Sequence, residues 1–72
     1  MKKLKKIKIK INGKTKTIID KLTLHKLIND IKIPITKVAI ELNKEIIDKR
    51  KLKKIYLRNN DVIEIVHFIG GG

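Results

Sequence analysis

The sequence has no cysteine and no serine, and its aromatic residues are Tyr56 and Phe68 alone. Without cysteine, neither a disulfide framework nor a thiolate metal site can form. Without serine or cysteine, the usual side-chain nucleophiles are missing. The two histidines, His25 and His67, are too far apart in the sequence to suggest a metal-ligand spacing. These absences argue against an enzyme or a metal protein, and we expect no bound cofactor.

Long apolar runs are also absent. No stretch reaches the roughly 18 consecutive apolar residues of a membrane span, so we expect no membrane partner and a cytoplasmic protein, with an organelle stroma as the alternative. The first six residues resemble the charged start of a secretory signal, but alternating Ile and Lys follow instead of an apolar block. A chain of 72 residues, 42% of them hydrophobic, allows one small domain with an aliphatic core.

Acidic residues are scarce as well. The chain has seven Asp and Glu but 19 Lys and Arg, which gives a formal net charge of +12. Such an excess first suggests an anionic partner such as nucleic acid. However, arginine is the preferred residue for phosphates and base edges, and here the basic residues are almost all lysine. Exposed aromatic residues for base stacking are missing too. We therefore interpret most lysines as ordinary solvated residues and expect nucleic acid to be an unlikely partner.

The first third of the chain predicts a β-hairpin. Ile7, Ile9 and Ile11 alternate with lysines, which is typical of a strand with one buried face. Asn12-Gly13 follows, the strongest short signal for a type I′ turn. Residues 15–19 then form the returning strand.

A helix is predicted next, because the apolar spacing changes from two to three and four. Thr23 is a credible N-cap, and the apolar positions form one helical stripe: Leu24, Leu27, Ile28 and Ile31. We expect Ile33-Pro34 to end the helix, since a residue before proline disfavours the α region.

The rest of the chain predicts further strands. Residues 38–42 alternate, Asn43-Lys44 turns the chain into a short apolar segment, and residues 62–69 form the last strand. The charged segment between them is expected to be a loop or helical turn attached to the core by Leu52, Ile55 and Leu57. One helix can cover only one face of a sheet, so this order predicts an α+β fold of the β-grasp type. It has a single mixed sheet of four to five strands with the helix packed across one face.

The side chains of the last strand alternate between the two faces of the sheet. We assign Ile63, Ile65 and Ile69 to the helix-covered core and the alternate positions to the open face. That open face then holds Lys8, Lys10, Ala39, Glu41 and Glu64, with the lysines expected close enough to neutralise the glutamates. Val66 and Phe68 are its apolar exceptions, and an apolar pair surrounded by charge predicts a partner-docking patch.

Three of the four glycines are Gly70, Gly71 and Gly72. Glycines lack Cβ atoms, so such a segment can enter a channel too narrow for any side chain. We therefore expect a β-grasp domain over residues 1–69, with residues 1–6 as a candidate flexible basic arm, and a flexible glycine tail over residues 70–72.

The last twelve residues resemble the C-terminus of the sulfur carrier proteins of thiamine biosynthesis, which are ubiquitin-like β-grasp proteins of this size. They read Asp61-Val62-Ile63-Glu64-Ile65-Val66-His67-Phe68-Ile69-Gly70-Gly71-Gly72. The segment from Asn43 to Ile47 also resembles the middle of that family. The lysine-rich first six residues and the run from Lys49 to Lys54 depart from the family pattern.

The resemblance implies a protein co-substrate and not an enzyme. A partner adenylating enzyme of the E1 type would use ATP and magnesium to adenylate the Gly72 carboxylate, with Gly70 and Gly71 giving access. A sulfur donor, such as a cysteine desulfurase or a persulfide carrier, would then convert it to a thiocarboxylate. Thiazole synthase would take up that sulfur for the thiazole ring of thiamine.

Two alternatives remain open at this stage. Within the carrier class, the same tail chemistry serves the small subunit of molybdopterin synthase and sulfur carriers for tRNA thiolation. In a different functional class, the positive charge is compatible with a small basic nucleic-acid-binding module. The affinity of such a module for nucleic acid would fall steeply with increasing salt.

Overall fold

The computed structural model describes residues 5–68 of the chain as one sheet packed against one α-helix. The elements follow one another as β1 (Lys6–Ile11), β2 (Lys14–Ile19), α1 (Leu24–Asp30), a first 3-10 helix (Ile35–Lys37), β3 (Val38–Leu42), β4 (Glu45–Ile46), a second 3-10 helix (Lys49–Lys54) and β5 (Val62–His67). Residues 1–4, Ile69 and the three terminal glycines lie outside the described residues. The predictions for the basic arm, for Ile69 and for the tail therefore stay predictions.

The five strands form a mixed sheet in the order β2-β1-β5-β3-β4. The first and last strands run parallel at its centre, with Lys10 opposite Val62, while the other neighbouring pairs are antiparallel. A parallel pair needs a crossover connection, and the segment containing α1 lies within it. The β-grasp prediction is confirmed.

Both tight hairpins are closed by residues with positive φ. Asn12 and Gly13 have φ of 48° and 82°, and Asn43 and Lys44 have 51° and 70°. The first turn was predicted on these grounds and is confirmed, because type I′ turns need positive φ at both central residues. The second has a lysine at its second central position, where a non-glycine residue with positive φ is uncommon.

The N-terminal cap of α1 is as predicted. The Thr23 hydroxyl accepts a hydrogen bond from the Lys26 backbone N–H at 3.1 Å. Leu24, Leu27 and Ile28 are buried, so the apolar stripe faces the sheet.

The predicted helix end is wrong. The helix stops at Asp30, before Ile33-Pro34, because Lys32 adopts a left-handed conformation with φ of 60°. The Lys32 N–H then donates to Asn29 O at 3.0 Å, and the Ile33 N–H donates to Ile28 O at 3.3 Å. These two bonds form a Schellman motif, so hydrogen bonding and not the proline ends the helix.

The core is aliphatic throughout and lies between the sheet and the helix. It consists of Ile7, Ile9, Ile18, Leu24, Leu27, Ile28, Val38, Ile40, Leu52, Leu57, Ile63 and Ile65. The second 3-10 helix contributes Leu52, with Leu57 following it, so these two predicted anchors are confirmed and Ile55 packs against them half-buried. Within residues 5–68 no helix has the length and hydropathy of a membrane span.

Candidate docking face and C-terminal segment

The apolar pair predicted as a docking patch lies exposed on the open face of the sheet. Val66 is 51% and Phe68 61% exposed. Val66 lies opposite Ala39 on β3, and the Phe68 N–H donates to Lys37 O at 3.0 Å beyond the end of β5. The backbone of this patch is therefore held to the sheet although its side chains face solvent.

A basic residue from the second 3-10 helix covers part of this patch. The Lys49 Nζ lies 5.2 Å from the centre of the Phe68 ring, within the range of a cation–π contact. Nothing in the sequence pattern indicated Lys49, because 19 positions separate the two residues along the chain and only the packed fold brings them together.

Two carboxylates lie side by side on the same face. Glu41 and Glu64 are directly opposite each other on β3 and β5. Their proximity was predicted and is confirmed. The ion pairs within residues 5–68 are Lys26–Asp30 and Arg50–Asp48, so neither glutamate forms one with Lys8 or Lys10. Lys10 aligns with Val62, diagonal to Glu64, and the neutralisation of the two carboxylates by these lysines stays a prediction.

The start of the second 3-10 helix is fixed by a charged pair. Asp48 caps it, accepting the Arg50 backbone N–H at 2.9 Å and the Arg50 Nη2 at 2.7 Å. These bonds lower the pKa of Asp48 from 3.8 to about 2, the guanidinium bonds contributing most and the backbone bond next. The same contact raises the pKa of Arg50. This pair holds the helix turn from which Lys49 reaches Phe68.

Two asparagine side chains hold β5 from its two sides. The Asn12 Oδ1 accepts the Ile65 N–H at 2.7 Å while its Nδ2 donates to Ile65 O at 3.4 Å. The Asn43 Oδ1 accepts the Val62 N–H at 2.9 Å. Asn12 thereby continues the short pairing of β1 with β5 and fixes the backbone directly before Val66.

The sequence analysis missed this role, because it used Asn12 and Asn43 only as turn formers. Asparagine in a turn between strands is common, and no local pattern distinguishes one that also bonds a third strand. The parallel pairing of β1 with β5 is the feature that brings the side chain of Asn12 to Ile65.

The remaining candidate groups do not converge. His25 is half-buried near the start of α1 and His67 is exposed on β5. Over the part of the chain that the structure describes, no three metal-ligating side chains form a group. Along the sequence, Phe68 is the residue of the predicted docking patch closest to Gly72, four positions before it.

Comparisons with known proteins cover nearly the whole chain. The profile of the ThiS family matches residues 9–72. The chain is 44% identical over 71 residues to the sulfur carrier protein ThiS of Bacillus subtilis, across 89% of this chain and 98% of that protein. It is 35% identical over 66 residues to a thiazole synthase of Paramagnetospirillum magneticum, across 92% of this chain and 20% of that protein.

A solved structure has the same architecture. The crystal structure of the thiamine biosynthesis protein ThiS from Geobacter metallireducens matches with a TM-score of 0.81 at 26% identity, across 92% of this chain and 100% of that chain. The profile match includes the three terminal glycines, so the similarity covers both the sheet and the segment beyond it.

Proposed function

The chain belongs to the ThiS family, and from that premise we propose that the carboxylate of Gly72 is the group that carries sulfur. The protein is a sulfur carrier of thiamine biosynthesis and not itself an enzyme. The observation that carries the proposal for Gly72 is the triple glycine following an apolar, exposed patch at the end of β5.

The proposed chemistry uses the terminal carboxylate as a nucleophile. It is ionised at neutral pH and attacks the α-phosphorus of ATP in the active site of a partner adenylating enzyme, which holds the ATP and magnesium. Pyrophosphate leaves and an acyl adenylate forms. The terminal sulfur of a persulfide donor then displaces AMP, and a second thiol cleaves the resulting S–S bond to release the thiocarboxylate.

Gly70 and Gly71 supply access in this proposal. A fully extended chain spans at most about 3.3–3.6 Å per residue, so four residues after Phe68 could span at most about 14 Å. A partner that grips the domain at Phe68 can therefore receive the carboxylate in a buried active site. Without Cβ atoms, the glycines leave the acyl carbon open to attack.

We propose the open face around Val66 and Phe68 as the surface that the adenylating enzyme and the thiazole synthase contact in turn. The Paramagnetospirillum relative supports the second of these partners, because the matched 20% of that thiazole synthase is similar to 92% of this chain. A cysteine desulfurase or persulfide carrier is the proposed sulfur donor. We propose the cytoplasm, or the stroma of an organelle, as the compartment.

Intact-mass spectrometry tests the carrier chemistry. The full chain is incubated with ATP, magnesium, an adenylating enzyme of the family and a persulfide donor, and it should gain the mass of one oxygen-to-sulfur exchange. A chain lacking Gly72 and a chain extended by one phenylalanine serve as matched controls, and both should fold but stay unmodified. If the extended chain gains sulfur, or if the intact chain does not, the assignment of Gly72 is wrong.

A further inference from the structure

Strand β2 leaves a long free edge on the sheet. It has six residues at one side of the strand order, whereas β4 at the other side has two. Bonded and non-bonded pairs alternate along an antiparallel ladder, and the Asp20 N–H donates to Lys5 O at 2.8 Å. The backbone groups of Thr15 and Thr17 therefore point away from β1, and no other described segment covers them.

A groove runs beside this edge, between β2 and α1. It has a volume of about 250 Å³. Its apolar lining includes Ile18, Leu22 and Leu27, with Lys16 and Asp30 also on its wall. An aliphatic side chain of a segment bound along β2 would therefore be buried in this groove, while the neighbouring side chains of that segment would lie close to charged groups.

The charge along the edge is of one sign. Residues 5–19 include six lysines and no acidic residue, and Lys14 and Lys16 are exposed on β2. Asp30 at the groove already pairs with Lys26 at 3.0 Å. A second copy of this strand would place lysine against lysine, which is unfavourable, whereas an acidic strand would be attracted.

We propose that the free edge of β2 accepts an extended segment of a partner protein as a sixth strand, with two acidic residues opposite Lys14 and Lys16 and an aliphatic residue in the groove beside Ile18. Main-chain hydrogen bonds supply affinity in such strand addition, and alternate side chains supply specificity. Strand β1 separates this edge from the docking face on β5. The carrier can therefore be held at β2 while Gly72 reacts, and the inference does not rest on the carrier chemistry.

Peptide titration followed by NMR tests this proposal on the full chain. The probes are capped peptides centred on Glu-Thr-Glu-Thr-Ile-Val and on the reversed order, for parallel and antiparallel addition, plus versions with lysine in place of glutamate. One glutamate peptide should bind and slow amide exchange at Thr15, Thr17 and Ile19. The lysine versions should bind about tenfold more weakly or worse.

Two variants separate strand addition from simple charge attraction. Thr17→Pro removes an outward N–H at an edge position where proline is tolerated and should weaken binding about tenfold or more, while Thr17→Ala should bind as the parent does. If the proline variant fails to fold, a glutamate peptide N-methylated at the residue opposite Thr17 replaces it, and strand addition predicts that this peptide binds about tenfold more weakly than the unmethylated one.

Two sets of outcomes would overturn the proposal. Binding that survives Thr17→Pro, or displacement of the peptide by a single-stranded RNA of equal charge in both Thr17 variants, would make the edge a general polyanion surface. A dimer that forms in the parent and is lost in Thr17→Pro would make it a self-association edge. Loss of sulfur transfer with peptide binding intact would affect only the proposed function.

Discussion

At the scale of single residues, Phe68 is the side chain whose removal most directly tests the docking face. Phe68→Ala should weaken binding to the adenylating enzyme by about tenfold or more, because aromatic anchors dominate such interfaces. Unfolding free energy should change little, since Phe68 is 61% exposed. Tyr56→Ala is the matched control, because this aromatic residue is 60% exposed and lies away from the patch. Equal loss of affinity in both variants, measured by calorimetry, would contradict the assignment.

Asn12 offers a second test at this scale. Asn12→Gly keeps the positive φ of the turn but leaves the Ile65 N–H without its 2.7 Å partner. A partly buried donor left unpaired costs about 1–3 kcal/mol, so urea unfolding should show a loss of that size. Asn60→Gly, also at positive φ, is the control and should stay within about 0.5 kcal/mol. Similar losses would mean that the Asn12 side chain does not support β5.

The pair of Asp48 and Arg50 gives a pH-dependent prediction. The pKa of Asp48 is lowered on folding to about 2, so the pair stabilises the fold above the unfolded value near 3.8, and that contribution is lost as pH falls from there through 2. Comparing the parent with Asp48→Asn by chemical denaturation, we expect a stability difference at pH 6 that shrinks steadily between pH 4 and pH 2. A difference that is constant with pH would show that the charge of Asp48 is not involved.

At the scale of the elements, the end of α1 is open to improvement. Lys32 has φ of 60° at the position after the helix cap, where glycine is usually found because a Cβ atom makes this conformation costly. Lys32→Gly should therefore raise the unfolding free energy by about 0.5–1 kcal/mol. Lys26→Gly, at an exposed position inside the same helix, should instead lower it by about 1 kcal/mol. Destabilisation by both glycines would contradict the Schellman motif.

Elements also show what the pattern of apolar residues could and could not predict. The strands β1, β3 and β5 follow strict alternation and were predicted within a residue or two. The two 3-10 helices were harder to predict from the sequence. Their segments, Ile35–Lys37 and Lys49–Lys54, have no periodic apolar stripe and depend on one or two side chains that reach the core. The predicted end of α1 was wrong because the Schellman motif ends the helix before the chain reaches Pro34.

At the scale of the whole molecule, the excess of positive charge works against folding. The 19 basic residues outnumber the seven acidic ones, so the excess positive charges repel one another in a compact domain. Salt weakens that repulsion, because the Debye screening length is about 10 Å at 0.1 M. Sodium chloride should therefore raise the melting temperature by several degrees between low and physiological ionic strength. Sucrose at equal osmolality is the control. If sodium sulfate raises the melting temperature and sodium chloride does not, the effect comes from a specific anion site and not from general screening.

The sequence by itself determined the class of fold, the hairpin, the aliphatic core and the family, because alternation, turn chemistry and the glycine ending are local properties of the chain. Only the tertiary structure decided which distant residues meet. It brought Lys49 to Phe68, Asn12 to Ile65 and Glu41 to Glu64, and among residues 5–68 it left the edge of β2 uncovered beside α1. The contact of Asn12 with Ile65 depends on the parallel pairing of β1 with β5, and that of Glu41 with Glu64 on the antiparallel pairing of β3 with β5. Both pairings join segments far apart in the chain and have no signal in any short stretch of sequence.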